Sequence, residues 1–187
     1  FFIWPKINGR FPNDGPYIIM MNHSSFLDVF IFPLIPRGHY TGVTAASNFK
    51  IPVFSALMRS IQAIPIERKN LGAAIESIKR AERVLKQNIH IGILPEGTRT
   101  LNGRLGPLKK GGFHMAINTN TPIVPVGVSG AFGVKPKNRW WIIPSPIDIN
   151  IGETIKANIY NELGLEGLKN IVEKKLKILS GEQYENK

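Results

Sequence analysis

The chain of 187 residues contains no cysteine. Disulfide bonds, cysteine-based zinc sites and catalysis by a cysteine thiolate are therefore excluded. Among the histidines, His39, His90 and His114 stand apart from any set of potential ligands, so each is interpreted as a surface or packed residue. We expect no metal site and no bound cofactor.

Long apolar runs are also missing. No uninterrupted stretch reaches the roughly 20 apolar residues that a membrane-spanning helix needs, because polar residues at 22–28 or prolines interrupt the longest candidates. The order of features typical of a signal peptide is not seen either. With 43% hydrophobic and 20% charged residues, the composition predicts one globular domain over residues 1–187.

Acidic residues are absent from residues 99–139, although the same segment holds seven basic ones. The whole chain has a formal net charge of +11. Such a charge attracts nucleic acid, acidic lipid surfaces or phosphorylated ligands. Because the basic segment begins in a glycine-rich loop, it favours a binding site for an anion.

Short apolar runs alternate with helical patterns along the chain. Strands are predicted at residues 17–21, 41–45, 63–67, 89–94, 123–128, 140–143 and 147–151. Helices are predicted at residues 28–34, 51–61, 70–87, 111–119 and 161–179. This alternation predicts an α/β fold with a mostly parallel mixed sheet flanked by helices on both faces. In such sheets, ligands bind beyond the carboxyl ends of the strands.

The motif NHSSFLD, residues 22–28, places ionisable side chains inside an apolar stretch. If His23 lies in a loop and Asp28 in the first helical turn, the carboxylate can hold one ring nitrogen and leave the other free as a base. Alternatively, Asp28, Ser24 or Ser25 caps the helix and His23 is a polar loop residue. Since no G-x-S-x-G pattern surrounds the serines, they are not predicted to be nucleophiles.

A second polar motif, LPEGTRT at residues 94–100, also follows a predicted strand. Gly97 is expected to expose backbone N–H groups, and Arg99 offers a planar guanidinium suited to phosphate oxygens. Glu96 could hold that arginine or orient His23 from across the site. The following loop adds three basic residues before a helix N-terminus, namely Arg104, Lys109 and Lys110. The alternative is a tight turn with a solvated arginine.

Arg68 ends the stretch IPIER and should emerge at the same edge of the sheet. Its alternative is an ordinary strand-end arginine paired with Glu67. The stretch TPIVPVGVSG, residues 121–130, carries no chemistry of its own. It could wall a pocket, and core packing is the simpler interpretation.

Four stretches together resemble the motifs of the 1-acylglycerol-3-phosphate acyltransferase family, in its order and at its separations: NHSSFLD, IPVFSALMRSIQAIPIER, LPEGTRT and TPIVPVGVSG. The resemblance covers about residues 15–130 and implies a glycerol-3-phosphate acyltransferase-like fold, with residues 1–187 as one acyltransferase domain. It implies transfer of a fatty acyl group from acyl-CoA or acyl carrier protein to the free hydroxyl of 1-acylglycerol 3-phosphate. Phosphatidic acid is then the product, without a covalent acyl-enzyme.

The same resemblance assigns roles to individual residues. His23 is the expected general base, and Asp28 orients it. Residues expected to bind or shape the site of the acceptor phosphate are Arg68, Glu96, Gly97, Thr98 and Arg99. Donors to the developing oxyanion are expected from backbone N–H groups or a water near the first motif. The chain departs from the family at ASNFKIP, where a Lys-x-Glu-Leu block is usual.

The implied partners are a lysophospholipid acceptor, acyl-CoA or acyl carrier protein, and an anionic membrane surface. The expected location is the cytoplasmic face of a membrane, peripheral or anchored through a segment outside this chain. Alternative acceptors are a different lysophospholipid, an aminolipid or glycerol 3-phosphate. From another class, the charge allows a basic membrane- or nucleic-acid-binding module. Because no RNA- or DNA-binding signature is found, no nucleic-acid partner is expected.

Overall fold

A sheet of seven strands organises the residues that this computed structural model describes, which are 4–66 and 71–182. In chain order the strands are β1 (Pro5–Asn8), β2 (Ile18–Met21), β3 (Tyr40–Ala45), β4 (Ile64–Ile66), β5 (His90–Ile93), β6 (Ile123–Ser129) and β7 (Ile147–Ile151). Across the sheet their order is β1-β7-β6-β2-β5-β3-β4. Neighbours run parallel except β6 and β7, which are antiparallel, so the predicted mostly parallel mixed sheet is confirmed.

Six α-helices accompany the sheet within the described residues: α1 (Asp28–Ile31), α2 (Pro52–Ser60), α3 (Leu71–Lys86), α4 (Gly111–Asn118), α5 (Ala131–Val134) and α6 (Ile159–Leu179). Short 3-10 turns follow α1 and β3, at Phe32–Leu34 and Ala46–Lys50. None of the described helices combines the length and the apolarity needed to cross a bilayer.

Strand β2 lies in the middle of the sheet and separates two hydrophobic cores. Ile18 and Met20 pack in one core with side chains from α3, α4 and α6. Ile19 and Met21 pack in the other core with side chains from α1 and α5. All four side chains are fully buried, and burying each contributes about 1.5–3 kcal/mol to folding. Helices therefore cover both faces of the sheet, as the alternation of elements predicted.

The topology brings the two polar motifs to one edge. β2 and β5 are parallel neighbours, and Met20 pairs in register with Ile93. The loop with residues 22–28 leaves the carboxyl end of β2, and the loop with residues 94–100 leaves the same end of β5. Two segments that are distant in sequence therefore begin side by side.

Some elements differ from the sequence prediction. The strand predicted at residues 140–143 is wrong, because this apolar segment is an exposed loop without strand pairing. The polar edge strand β1 and the short helix α5 were not predicted. The predicted elements at 63–67 and 70–87 are present, although their ends at Glu67 and Asn70 lie outside the described residues.

His90 is a packed residue, as its isolation in the sequence indicated. Its Nδ1 accepts the Tyr17 N–H at 3.1 Å, and its Nε2 donates to the Arg37 carbonyl at 3.0 Å. Burial lowers the pKa of the imidazole, because the charged form loses solvation. His39 and His114 are exposed at the surface.

Candidate active site

His23 and Asp28 meet just beyond the carboxyl end of β2. His23 lies in the loop that leaves this strand, and Asp28 is the first residue of α1. The distance from His23 Nδ1 to Asp28 Oδ2 is 2.7 Å. The Asp28 side chain is fully buried, whereas that of His23 is 19% exposed. The loop between them is what allows side chains five residues apart to touch.

Asp28 Oδ2 determines which nitrogen of His23 carries the proton. The same oxygen accepts the backbone N–H groups of Ser24 at 2.9 Å and Ser25 at 3.0 Å. An oxygen that collects donors in this way acts as a carboxylate acceptor, so His23 Nδ1 donates to it. Nε2 therefore keeps its lone pair, and it has no hydrogen-bond partner in residues 4–66 and 71–182. Nε2 is the atom that can take a proton from a substrate.

The two serine hydroxyls do not contact the imidazole. Ser25 Oγ donates to the Lys135 carbonyl at 2.8 Å and accepts the Leu27 N–H at 3.1 Å, which stabilises the turn before α1. Ser24 Oγ is buried, and no described residue is its hydrogen-bond partner. Neither hydroxyl is placed as a nucleophile activated by His23.

Glu96 holds the backbone of His23 from the neighbouring loop. Its Oε1 accepts the His23 N–H at 2.6 Å, and its Oε2 accepts the Gly106 N–H at 2.7 Å. The Thr100 N–H in turn donates to the His23 carbonyl at 2.9 Å. Burial raises the pKa of the Glu96 carboxyl, and the two N–H donors act against that rise. The two motifs are thus joined by hydrogen bonds through buried groups.

A space of about 220 Å³ opens beside His23, and we call it the polar pocket because its lining includes His23, Thr44, Asn48 and Lys109. Its lining comprises His23, Val43, Thr44, Ala45, Asn48, Ile66, Ile93, Leu94, Pro95, Gly97, Lys109, Gly111 and Gly112. Gly111 and Gly112 are the first residues of α4, where the backbone N–H groups lack acceptors within the helix. Together with the Lys109 side chain, this helix start gives the pocket a positive potential suited to an anion.

An apolar cavity of about 290 Å³ lies next to the polar pocket. Its lining comprises Asp28, Val29, Phe30, Phe32, Pro33, Tyr40, Gly42, Val43, Thr44, Met58, Ile61, Gly92 and Leu94. Gly42 and Gly92 are paired across β3 and β5. A Cβ added at Gly42 would meet no atom closer than 3.8 Å, whereas one added at Gly92 would overlap the Phe32 ring at 2.2 Å. The absent side chain of Gly42 therefore leaves open space in the cavity.

The His23–Asp28 pair lies at the junction of the two spaces. His23 lines the polar pocket, and Asp28 lines the apolar cavity. Val43, Thr44 and Leu94 line both. A bound molecule can therefore place a charged end in the polar pocket and an aliphatic end in the apolar cavity, with its middle part near the imidazole.

Of the remaining predicted site residues that the structure describes, one lines the polar pocket and two do not. Gly97 lines the polar pocket, and its own N–H is used within the turn, where it donates to the Leu94 carbonyl at 2.9 Å. Thr98 lies at the surface, where its hydroxyl accepts from Lys137 Nζ at 3.4 Å. Arg99 is half-buried and is not among the residues lining the polar pocket. Arg68 lies outside the described residues.

Lys109 lines the polar pocket although sequence reasoning placed it only in a basic loop. Its N–H donates to the Pro95 carbonyl at 2.8 Å, which holds the lysine beside the second motif. The adjacent Lys110 instead pairs with Glu166 at 2.6 Å on the surface. The available signal was the Lys-Lys pair before the glycines that open α4, and this pair alone does not indicate which lysine faces the pocket.

The backbone N–H groups at the start of the first motif are already used. Those of Ser24 and Ser25 bind Asp28, and that of His23 binds Glu96. These three groups are therefore not available to an oxyanion, and the expectation of donors near this motif stays a prediction for other N–H groups or a water. Within residues 4–66 and 71–182, no three histidine or acidic side chains lie close enough together to hold a metal ion.

Comparison with known sequences identifies relatives of the chain. The family described as Acyltransferase matches residues 6–129. A 1-acyl-sn-glycerol-3-phosphate acyltransferase of Cocos nucifera is 39% identical over 147 residues, which are 78% of this chain and 47% of that protein. The alpha form of the enzyme from Homo sapiens is 32% identical over 121 residues, 64% of this chain and 43% of that protein. The chain thus spans about half the length of the curated relatives it matches.

A solved structure has the same fold. The crystal structure of the 1-acyl-sn-glycerophosphate (LPA) acyltransferase PlsC from Thermotoga maritima superposes with a TM-score of 0.76 and 25% sequence identity. The superposition covers 94% of this chain and 70% of that one. The similarity therefore extends beyond the motifs to nearly the whole chain.

Proposed function

Because this chain belongs to the acyltransferase family, we propose that it transfers a fatty acyl group from acyl-CoA or acyl carrier protein to the free hydroxyl of 1-acylglycerol 3-phosphate. The product is phosphatidic acid. The observation that carries this proposal is the position of the His23–Asp28 pair between a positive pocket and an apolar cavity. No cofactor is required beyond the acyl thioester.

In the proposed mechanism, His23 Nε2 takes the proton of the acceptor hydroxyl as its oxygen attacks the thioester carbonyl carbon. Asp28 keeps the proton on Nδ1 and stabilises the imidazolium that forms. When the tetrahedral intermediate collapses, the carbon–sulfur bond breaks and the leaving thiolate recovers the proton from Nε2. A positioned base contributes about 10²–10⁴-fold to such a rate. No acyl group is attached to the protein at any step.

The proposed acceptor fits the polar pocket through its phosphate. Lys109 and the start of α4 supply positive potential there, and the pocket includes His23. A phosphate bound in this pocket would hold the glycerol hydroxyl near Nε2. By the resemblance, Arg68 and Arg99 are further candidates to bind it, with Glu96, Gly97 and Thr98 shaping the loop.

The proposed acyl chain fits the apolar cavity. Its walls are mostly aliphatic and aromatic, and among the described residues Asp28 is the one carboxylate that lines it. Each methylene removed from water there contributes about 0.8 kcal/mol to binding. The reacting carbonyl would then lie where the two spaces share Val43, Thr44 and Leu94.

We further propose that the chain works at the cytoplasmic face of a membrane, held peripherally or through a segment outside this sequence. Both the acceptor and the product are lipids, and the net charge of +11 favours an anionic surface. Acyl-CoA and acyl carrier protein would approach the same site from the aqueous side.

Purified protein should show the highest kcat/KM with 1-acylglycerol 3-phosphate in an acceptor screen. The screen pairs acyl-CoA or acyl carrier protein donors with this acceptor, glycerol 3-phosphate, other lysophospholipids and 1-acylglycerol without phosphate. Losing the phosphate should cost at least about tenfold, since a charge-assisted hydrogen bond contributes about 1.5–3 kcal/mol. Preference for another acceptor would correct the substrate, and no acylated product with any pair would contradict the activity.

Lys109→Ala should raise the KM for the acceptor by about 10- to 100-fold, because the proposed phosphate loses a charged donor. The KM for the acyl donor should change little. Lys110→Ala is the matched control, since this neighbouring lysine pairs with Glu166 on the surface. Steady-state kinetics in which each substrate is varied separately give the KM for the acceptor and the KM for the acyl donor in both variants.

The same assay tests Arg99, for which the resemblance predicts a phosphate contact. Arg99→Ala should likewise raise the acceptor KM far more than the donor KM. If a substitution at Lys109 or Arg99 raised the KM for the acceptor and the KM for the donor equally, that residue would not be a phosphate contact. If Lys110→Ala matched Lys109→Ala, the effect would reflect overall charge and not the polar pocket.

A further inference from the structure

Residues 139–143, with the sequence Arg-Trp-Trp-Ile-Ile, form a loop that displays large apolar side chains to solvent. Trp140 is 85% exposed and Trp141 is 50% exposed, and both isoleucines are exposed as well. Contiguous apolar surface of this kind marks an interaction site in soluble domains. We propose that this segment, the tryptophan loop, docks the chain on an anionic lipid surface.

Hydrogen bonds from Arg139 and Ile143 hold the tryptophan loop against the protein. Arg139 Nη2 donates to the carbonyls of Gly133 at 2.5 Å and Val134 at 2.7 Å, and its Nε donates to the Trp141 carbonyl at 3.2 Å. The Ile143 N–H donates to the Val134 carbonyl at 3.0 Å. These bonds fix the loop to the end of α5, so the apolar side chains are presented from an ordered base.

The charge around the loop selects an anionic partner. No acidic residue occurs between residues 99 and 147, whereas Lys135 and Lys137 directly precede the loop. Anionic lipid attracts basic side chains near its surface, and tryptophan rings reside at the level of the lipid headgroups. A second copy of this chain also carries a charge of +11 and would be repelled. Lipid therefore fits this surface better than self-association.

The base of the tryptophan loop is attached to the candidate active site. The Lys135 carbonyl accepts the Ser25 hydroxyl at 2.8 Å, directly beside the first motif. Phe26 and Phe30 follow Ser25 in the chain and are also exposed, with ring centroids 5.7 Å apart. The segment that carries the catalytic pair thus also exposes aromatic side chains, and it is tied by a hydrogen bond to the residues that precede the loop.

The second motif is attached as well, because Lys137 Nζ donates to Thr98 Oγ1 at 3.4 Å. A docked loop would hold both motifs close to the bilayer, where a lipid acceptor could enter without crossing water. This consequence rests on the proposed function, whereas docking itself does not. The two can therefore fail separately.

Vesicle sedimentation with the 187-residue chain tests the proposal. Vesicles of phosphatidylcholine mixed with an equal part of phosphatidylglycerol should bind the protein, and phosphatidylcholine alone should bind it more weakly. The Trp140→Ala/Trp141→Ala double variant should partition about tenfold less, since two aromatic side chains no longer leave water. Trp4→Ala is the matched control, because Trp4 is exposed but lies before the edge strand β1.

A fluorescence measurement separates docking from misfolding. Trp4→Phe leaves Trp140 and Trp141 as the only tryptophans, so their emission should shift to shorter wavelength when anionic vesicles are added. Lys137→Gln should reduce partitioning to anionic vesicles and leave partitioning to phosphatidylcholine unchanged. Thermal unfolding should give similar midpoints for all variants, because each substituted side chain is exposed.

Undiminished partitioning of the double variant, or no shift in emission, would overturn the proposal whatever the acyl transfer assay gives. A change from dimer to monomer in the double variant, with unchanged vesicle binding, would assign the loop to self-association and also overturn it. Conversely, tryptophan-dependent vesicle binding by a chain that acylates no acceptor would leave the docking surface standing and contradict the proposed function. If the chain is active, the double variant should transfer acyl groups more slowly than the wild type when the acceptor is in vesicles. With a dispersed short-chain acceptor, the two proteins should have the same rate.

Discussion

His23→Ala is expected to lower the rate of acyl transfer by about 10²–10⁴-fold, the contribution of a positioned general base. The substitution removes Nε2, the ring nitrogen that can act as a base when Nδ1 donates to Asp28. The fold should persist, because the His23 side chain is partly exposed and the bond from its backbone N–H to Glu96 remains. Initial rates with a saturating acyl donor, beside circular dichroism and vesicle binding, measure both outcomes.

Two further variants sharpen the test of the base. Asp28→Asn keeps the side-chain size but replaces the acceptor of three hydrogen bonds, so the imidazole loses its fixed tautomer and activity should also fall. His39→Ala removes an exposed histidine outside the site and should leave the rate unchanged. Full activity of His23→Ala would contradict general-base catalysis by this residue.

Gly42→Leu is expected to change which acyl chains the protein accepts. The new side chain would occupy open space in the apolar cavity, since an added Cβ meets no atom closer than 3.8 Å. Long-chain donors should lose about 10²-fold in kcat/KM if three or four methylenes no longer fit, at about 0.8 kcal/mol each. Short-chain donors should retain their rate. A series of acyl-CoA lengths gives the profile.

Gly133→Leu provides the matched control for this change of selectivity. An added Cβ there is also unobstructed, with Ser145 Oγ at 3.8 Å, but Gly133 does not line the apolar cavity. The control should keep the chain-length profile of the unmodified protein. An unchanged profile in Gly42→Leu, with the fold intact, would show that the acyl chain does not occupy this cavity.

Much of the fold could be predicted because six of the seven described strands, all except the polar strand β1, follow apolar runs in the sequence. The continuous apolar run at β2 predicts a strand buried on both faces, and all four of its residues are buried. The apolar run at 140–143 resembles such a strand, yet hydrogen bonds from Arg139 hold it as a loop on α5. Strand β1 was missed because its polar sequence suits an exposed sheet edge.

The candidate site shows a similar limit. His23 and Asp28 could be proposed as a pair because one short segment contains both. The position of Lys109 depends on the hydrogen bond from its backbone N–H to the Pro95 carbonyl, and the spacing of these residues in the sequence does not predict that bond. The bond from the Gly97 N–H to the Leu94 carbonyl is likewise a property of the folded turn. Local chemistry was thus readable from the sequence, whereas the contacts between segments required the fold.

The central position of β2 has a consequence for how the protein folds. The contacts that complete the site join residues far apart in the chain: Glu96 lies 73 positions from His23, and Val128 lies 106 positions from Asn22. Such contacts close only after long loops are ordered, which slows folding relative to proteins with local contacts. The chain should therefore acquire its binding spaces late. A nascent chain that ends before β6 would lack a neighbour on one side of β2 and would expose an apolar strand edge to aggregation.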